Sequence, residues 1–356
     1  MKLLDLGFDD FFSKQTNELC KPKQHIARVM IVNRDRYIIR NEEKELPAKV
    51  TGKLLYTNHG TDLPAVGDWV CIEYYDSEES ATIHAVLQRK SFLRRKTAGQ
   101  HIDYQMIASN IDIAFIVQSC HYDFNINRLE RYLVMAHEGH VTPLLLLTKT
   151  DLISEEELQS LIGRIRHSGI TAEIITISNI TGEGLDQVKS AMQSAKTYCL
   201  IGSSGVGKTT LINQLTQQAT YKTNTVSETG EGRHTTVRRQ LILLDNGAML
   251  IDTPGMRELG ILAATEEVDD SFSDISKLAE QCRFKNCSHV NEPGCGILKA
   301  IKSGTLAEKH YQNYLKLKKE SEFYEMSYSE KRKKDKAFGR FIQTVQKSKN
   351  KYKQQN

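Results

Sequence analysis

Apolar positions along the chain follow two regimes that change near residue 105. Between residues 25 and 90 they form short runs at 26–32, 37–40, 45–55, 69–73 and 81–87, each bounded by turn or charged residues. Short strands at this regular spacing predict a small β-barrel. Beyond it, residues 111–117 (Ile-Asp-Ile-Ala-Phe-Ile-Val) read as a buried strand. Residues 127–138 read as an amphipathic helix with Leu129, Tyr132, Leu133 and Ala136 on one face. Further apolar runs at 143–147, 174–177, 198–201 and 248–251 predict buried strands with helices between them, as a doubly wound α/β sheet requires. Ser154 is placed to cap one of those helices, with Glu157 three residues on to complete a capping box.

The run at 198–201 delivers Gly202-Ser203-Ser204-Gly205-Val206-Gly207-Lys208-Thr209-Thr210, and a helical pattern follows it. Glycine spaced this way between a strand and a helix is the phosphate-cradling P-loop. Inward-facing N–H groups bind the phosphates, Lys208 supplies a cation, and the Thr209 hydroxyl is placed to ligate Mg²⁺. Thr148-Lys149-Thr150-Asp151 ends another buried strand. A carboxylate accepts from both N1–H and N2–H₂ of guanine, whereas N1 of adenine is an acceptor, so Asp151 is the candidate base reader, with the Lys149 stem over the base plane. Ser178, opening Ser-Asn-Ile-Thr-Gly-Glu-Gly-Leu, is the candidate residue backing the base. Asp252-Thr-Pro-Gly255 puts an acid where it can hold Mg²⁺-bound water and a glycine N–H where it can meet a γ-phosphate. The polar loop around Arg233-His234-Thr235-Thr236 is either a switch whose Thr235 or Thr236 reaches Mg²⁺ or a plain connection.

The order of these motifs is itself informative. The guanine-reading tetrapeptide at 148 precedes the P-loop at 202, the reverse of an ordinary small GTPase, so the chain reads as a circular permutation. A parallel sheet tolerates this, because its ends can be re-cut at surface loops. Downstream, Cys282, Cys287, His289 and Cys295 lie within fourteen residues, with Pro293-Gly294 as a turn. Three thiols and an imidazole make a closed tetrahedral zinc site, which is structural. Cys287 and His289 as a catalytic dyad lack an orienting partner.

Composition adds constraints. The 356 residues predict several domains and carry a net charge of only +4. The remaining cysteines, Cys20, Cys71, Cys120 and Cys199, are scattered in apolar contexts, which suits a reducing cytoplasm better than a disulfide scaffold. The N-terminal residues have acids within their apolar stretch and so do not resemble a signal peptide, and no run has the length of a membrane span. Charge is concentrated locally. Residues 89–96 hold five cations in eight positions, and ten Lys or Arg stand against two acids from Glu330 onward. Both stretches are candidate contacts for nucleic acid, with a solvated surface as the alternative.

The permuted order, the P-loop, the Gly-Arg-His-Thr-Thr loop, Asp-Thr-Pro-Gly and the cysteine cluster together resemble the RsgA (YjeQ) family of ribosome small-subunit GTPases, over about residues 25 to 320. The resemblance implies a multidomain α/β chain. An N-terminal segment (1–24) precedes an OB-fold-like RNA-binding barrel (25–96), in which Pro64-Ala-Val-Gly-Asp-Trp-Val70 is similar to the family's OB-fold. A circularly permuted GTPase (97–265), a zinc-binding helical module (266–320) and a basic tail (321–356) follow. It further implies GTP hydrolysis stimulated by the small ribosomal subunit and its rRNA, with other assembly factors as partners, in a cytoplasmic monomer. Two positions depart from GTPase habit. Thr148 stands where asparagine is usual and keeps one of the two hydrogen bonds an amide makes, and Met256 stands where Ras-like enzymes place a water-orienting glutamine. His234 is the family's implicated loop histidine and the candidate to fill that role; packing the loop is its alternative. A protein-partnered signalling switch and a non-hydrolysing zinc RNA-binding protein are the competing functional classes.

Overall fold

The structure is a computed structural model that describes residues 1–33, 36–57, 61–75, 79–96, 104–121, 123–217, 239–252 and 265–325. Near the N-terminus, α1 (Asp10–Leu19) is capped by the Asp9 carboxylate, which accepts from the Phe11 N–H. The barrel follows as β1 (His25–Asn33), β2 (Arg36–Arg40), β3 (Glu45–Val50), α2 (Gly52–Thr57), β4 (Trp69–Tyr75) and β5 (Ser80–Val86). β1 pairs with both β2 and β4, and the ring closes through β3, β5 and β4. Val29, Ile39, Ile72 and Ile83 fill its interior. The apolar stretch 45–55 is not one strand as expected. The Thr51 hydroxyl accepts from the Leu54 N–H at 3.3 Å, and this local cap turns the chain into α2.

β6 (Phe92–Lys96) and β7 (Tyr104–Ser109) form an antiparallel pair that leads out of the barrel. The α/β part comprises β8 (Ile113–Ser119), α3 (Ile126–Glu138), β9 (Thr142–Thr148), α4 (Glu155–His167), β10 (Glu173–Ile177), α5 (Leu185–Ala191), β11 (Thr197–Ile201), α6 (Lys208–Thr216), β12 (Arg239–Leu243) and β13 (Met249–Asp252). Its strands lie in the order β10-β9-β8-β11-β13-β12. The first five run parallel and β12 runs antiparallel. The strand order reverses between β8 and β11, and such a switch point opens a crevice at the carboxyl ends of the strands. The capping box at α4 forms, with the Ser154 hydroxyl accepting from the Glu157 N–H.

Barrel and sheet are continuous, since β1 pairs antiparallel with β12, Ile31 opposite Gln240 and Val32 opposite Arg239. The buried Arg28 guanidinium pins this junction. It donates to the carbonyls of Leu6, Gly67 and Asn110 and to the Thr197 hydroxyl, and lies 5.5 Å from the Trp69 ring. Burial pulls its pKa down to about 10, so it remains a cation at neutral pH.

Helices α7 (Thr265–Ser271), α8 (Ser273–Ala279), α9 (Gly296–Lys302) and α10 (Glu308–Glu325) build the C-terminal module, whose apolar cluster takes in Val134 of α3. Among the described residues no helix is long and apolar enough to cross a membrane. One expectation about the cysteines is corrected. Cys20 and Cys71 are joined by a disulfide with their Cα atoms 5.5 Å apart. Phe12 of α1 packs against Trp69 at the start of β4, and this contact brings the helix end to the strand.

Candidate functional site

The crevice outside β9, β10 and β11 gathers the residues that the motifs singled out. The P-loop leaves β11 with Gly202 at φ 155°, where a Cβ would stand 2.3 Å from the Val117 carbonyl oxygen of β8. At Gly207, φ is 96° and a Cβ would meet the Asn179 amide at 2.6 Å. No other residue type suits either position, which fixes the loop's course over the sheet edge. α6 starts at Lys208, and Thr209 and Thr210 occupy its first turn. Ser204 and Gly205 complete the turn that aims the loop.

The tetrapeptide lies directly beside this loop. The buried Thr148 hydroxyl donates to the Val206 carbonyl at 2.7 Å, a single bond that ties the two loops together. Lys149 adopts the left-handed conformation with φ 63°, which turns the chain into the short helical turn Thr150–Leu152. Asp151 Oδ1 accepts from the Ser178 hydroxyl at 2.6 Å, and that hydroxyl also accepts from the N–H groups of Ile180 and Thr181. Asn179 donates to the Gly207 carbonyl at 3.1 Å, and Gln214 of α6 donates to the Asn179 carbonyl at 2.7 Å. Three segments far apart in sequence therefore share one hydrogen-bonded frame. Several buried polar atoms around it have no protein partner: Thr150 Oγ1, Asn179 Oδ1, Gln214 Oε1 and both amide atoms of Gln118. Buried groups of this kind are normally paired, so the frame suits a polar ligand.

At the phosphate end, Lys208 Nζ donates to the carbonyls of Gly202 at 2.7 Å and Ser203 at 2.5 Å. Asp252 ends β13 close enough to feel this ammonium. Burial nonetheless pushes its carboxyl up to about 6 against the pull of Lys208. His234, Thr235, Thr236 and Gly255 lie outside the described residues, as does the tail beyond residue 325.

Sequence reasoning missed two partners of the P-loop. Asp123, four residues past the end of β8, accepts from the Ser203 hydroxyl at 2.6 Å and pairs with Arg128 in the first turn of α3. Arg128 Nη1 also donates to Ser203 Oγ at 3.1 Å. Burial alone would raise the Asp123 carboxyl, but its bonds to Arg128 and Ser203 outweigh this and hold it below the usual range. The available signal was an acid at the carboxyl end of a central strand next to a helix cap, Asn125.

The cysteine cluster assembles as expected. Ligand atoms of Cys282, Cys287, His289 and Cys295 all lie within 4.8 Å of one another. Cys282 Sγ is 3.4 Å and Cys295 Sγ 3.5 Å from His289 Nδ1, and the two sulfurs are 3.8 Å apart. Tetrahedral zinc with bonds of about 2.0 Å to nitrogen and about 2.3 Å to sulfur separates nitrogen from sulfur by roughly 3.5 Å and sulfur from sulfur by roughly 3.8 Å, so the donor set fits a structural zinc ion. N–H groups of Gly296 and Leu298 in α9 point at the thiols of Cys282 and Cys295, and the Tyr311 hydroxyl donates to the His289 carbonyl.

In the charge run at 89–96, the four cations whose side chains are described each have a partner within the protein. Arg89 binds both oxygens of the fully buried Asp68, Arg94 pairs with Glu138, Arg95 donates to Gln105, and Lys90 pairs with Asp9. Arg89 thereby anchors to the barrel, Arg94 ties β6 to α3, and Arg95 ties β6 to β7.

The profile of the family described as RsgA GTPase matches residues 86–262. The small ribosomal subunit biogenesis GTPase RsgA 2 of Listeria monocytogenes is 38% identical over 325 residues, covering 91% of this chain and 90% of that protein. RsgA 1 of Bacteroides thetaiotaomicron is 34% identical over 342 residues, covering 96% and 95%. The chain belongs to the RsgA family. Among solved structures, YjeQ from Thermotoga maritima matches with a TM-score of 0.63 at 27% identity, over 84% of this chain and 98% of that one. YloQ, described as a circularly permuted GTPase, shares the fold with a TM-score of 0.59 at 22% identity, over 86% and 97%. As an RsgA-family GTPase, the chain carries the permuted sheet, the closed five-stranded barrel and a Cys₃His cluster in one molecule.

Proposed function

We propose that this RsgA-family chain binds GTP in the crevice between its P-loop and the Thr148–Asp151 loop, and hydrolyses it during late maturation of the small ribosomal subunit. The observation that carries the reading is the Thr148 to Val206 bond, which sets a carboxylate, Asp151, at a fixed reach from a phosphate cradle. In this reading Asp151 accepts the two guanine donors, held in place by Ser178, while the Lys149 stem covers the base. Residues 202–210 cradle the phosphates. Mg²⁺, held by Thr209, Asp252 and Thr235 or Thr236, neutralises charge on the phosphates when bound. Water attacks the γ-phosphorus, the bond to the β-phosphate oxygen breaks, and GDP and phosphate leave. Gly255 would sense the γ-phosphate and His234 would orient the water, a role that Met256 cannot fill.

Zinc, held by Cys282, Cys287, His289 and Cys295, would fix the C-terminal module as a docking surface. That module exposes Arg283, Lys285, Lys299 and Lys302, with the Arg283 guanidinium 5.6 Å from the centroid of the 43% exposed Phe284, and cations with an exposed ring suit rRNA. The basic tail would add to this contact, with other assembly factors sharing the same cytoplasmic particle and the chain acting as a monomer. The relatives' printed names support the small subunit as partner. The test is phosphate release with and without purified small subunits. Stimulation that falls as salt rises supports the proposal, and a rate indifferent to subunits defeats it. In the same assay His234→Ala keeps GTP binding and loses the stimulated rate; unchanged stimulation removes His234 from the mechanism.

A further inference from the structure

One helix touches both the P-loop and the C-terminal module within a single turn. In α3, Arg128 faces Asp123 and the P-loop Ser203. Two residues on, the buried Glu130 accepts from His310 of α10 at 2.5 Å and from the Asn313 amide of the same helix. The other nitrogen of His310 meets Asp274 of α8 at 3.0 Å. Next to Glu130, Arg131 makes a two-pronged bond to Glu320 of α10 at 3.1 and 3.0 Å. Val134, one turn further, enters the apolar cluster of the module, and His137 reaches the Ser271 hydroxyl of α7 at 2.9 Å. A helical turn rises only about 5 Å, so a displacement of the first turn of α3 is a displacement of everything these side chains hold.

The P-loop end of this contact depends on whether phosphate is bound. Lys208 donates to the carbonyls of Gly202 and Ser203. A β- or γ-phosphate competes for the same ammonium, so Ser203 loses that restraint when nucleotide arrives. Ser203 is also the residue whose hydroxyl lies between Asp123 and Arg128. A ligand shifts a conformational equilibrium only through contacts that differ between the two states, and here that contact is identified.

We infer that Asp123 and Arg128 are positioning residues for the P-loop, and that α3 carries the loop's nucleotide state to the zinc module through Glu130 and Arg131. The route does not depend on the 253–264 segment that joins β13 to α7 in sequence. It assigns the buried ionic cluster a function, since a cluster of charges costs desolvation that apolar packing would avoid. Because coupling is reciprocal, a partner whose affinity for the zinc module differs between nucleotide states must in turn alter nucleotide affinity by the same factor.

The experiment uses the full-length, zinc-loaded protein and hydrogen exchange of amides in residues 306–317, with saturating GDP, with a non-hydrolysable GTP analogue and without nucleotide. The wild type should show exchange that differs by at least about fivefold between nucleotide-bound and free protein, the lower end of typical coupling. Arg128→Ala and Glu130→Gln should each reduce that difference below about twofold while still binding GDP at saturation, and Arg128→Lys should restore part of it. Asp123→Asn, a near-isosteric change, repeats the test at the P-loop end should Arg128→Ala fail to fold. A wild type whose residues 306–317 ignore both nucleotides overturns the inference. So does an Arg128→Ala or Asp123→Asn protein that keeps the full wild-type difference.

Discussion

The ion cluster between α3 and the C-terminal module makes a quantitative prediction about pH. His310 is buried with a carboxylate at each ring nitrogen, Glu130 from α3 and Asp274 from α8, and the Phe272 ring lies against it. Burial alone would lower its pKa, but the bonds to Asp274 and Glu130 outweigh that cost and raise it from 6.5 to about 9. At about 1.36 kcal/mol per pH unit this rise corresponds to roughly 3 kcal/mol. The Asp274 side chain is 39% exposed, and screening there brings the working figure to about 2 kcal/mol. The folded state binds the proton more tightly than the unfolded one, so the contribution is complete below about pH 6.5 and disappears as pH rises through about 9. Glu130→Gln removes part of it at neutral pH. Hydrogen exchange of α10, corrected for base-catalysed intrinsic rates, should show wild type protected up to about thirtyfold better than the variant at pH 7, with the two converging by about pH 10. A gap that stays constant across this range would refute the reasoning, because it would mean that shape and not charge holds the cluster.

Two further outcomes follow. Lys208→Ala removes a charge-assisted donor from the phosphate cradle and should weaken GDP and GTP binding by about a hundredfold, measured by titration with a fluorescent guanine nucleotide; unchanged affinity would mean that the phosphates sit elsewhere. Cys295→Ser should lower metal content from one zinc per chain to near none and cost far-UV circular dichroism in the C-terminal helices, whereas a fully helical, metal-free variant would show that the module does not need the ion.

The sequence told most where a residue type admits one conformation. Gly202 and Gly207 occupy backbone positions that a Cβ would block, so the P-loop pattern fixed its geometry in advance. Apolar runs such as 144–147 became buried parallel strands because helices cover both faces of such a sheet. Local hydrogen bonding was harder to foresee. Thr51 stopped a strand that periodicity would have continued into α2. Arg89 and Arg94 looked like a phosphate-binding strip, yet their partners Asp68 and Glu138 are 21 and 44 residues away in sequence, and only the fold brings those carboxylates to them. Cys20 and Cys71 were indistinguishable from buried thiols until α1 docked on β4. The Asp123, Arg128 and Glu130 contacts escaped for the same reason, since each joins segments that only the permuted sheet places side by side.

The measurement that bears most directly on the guanine crevice is a base swap at Asp151. Xanthine has a carbonyl where guanine has its 2-amino group, so an amide can accept from N1–H and donate to that oxygen, whereas a carboxylate would meet it with repulsion. Wild-type protein should bind GDP and reject both XDP and ADP, and Asp151→Asn should prefer XDP over GDP by at least about tenfold. If the wild type binds ADP as well as GDP, or if Asp151→Asn leaves the preference for guanine intact, the account of this crevice is wrong.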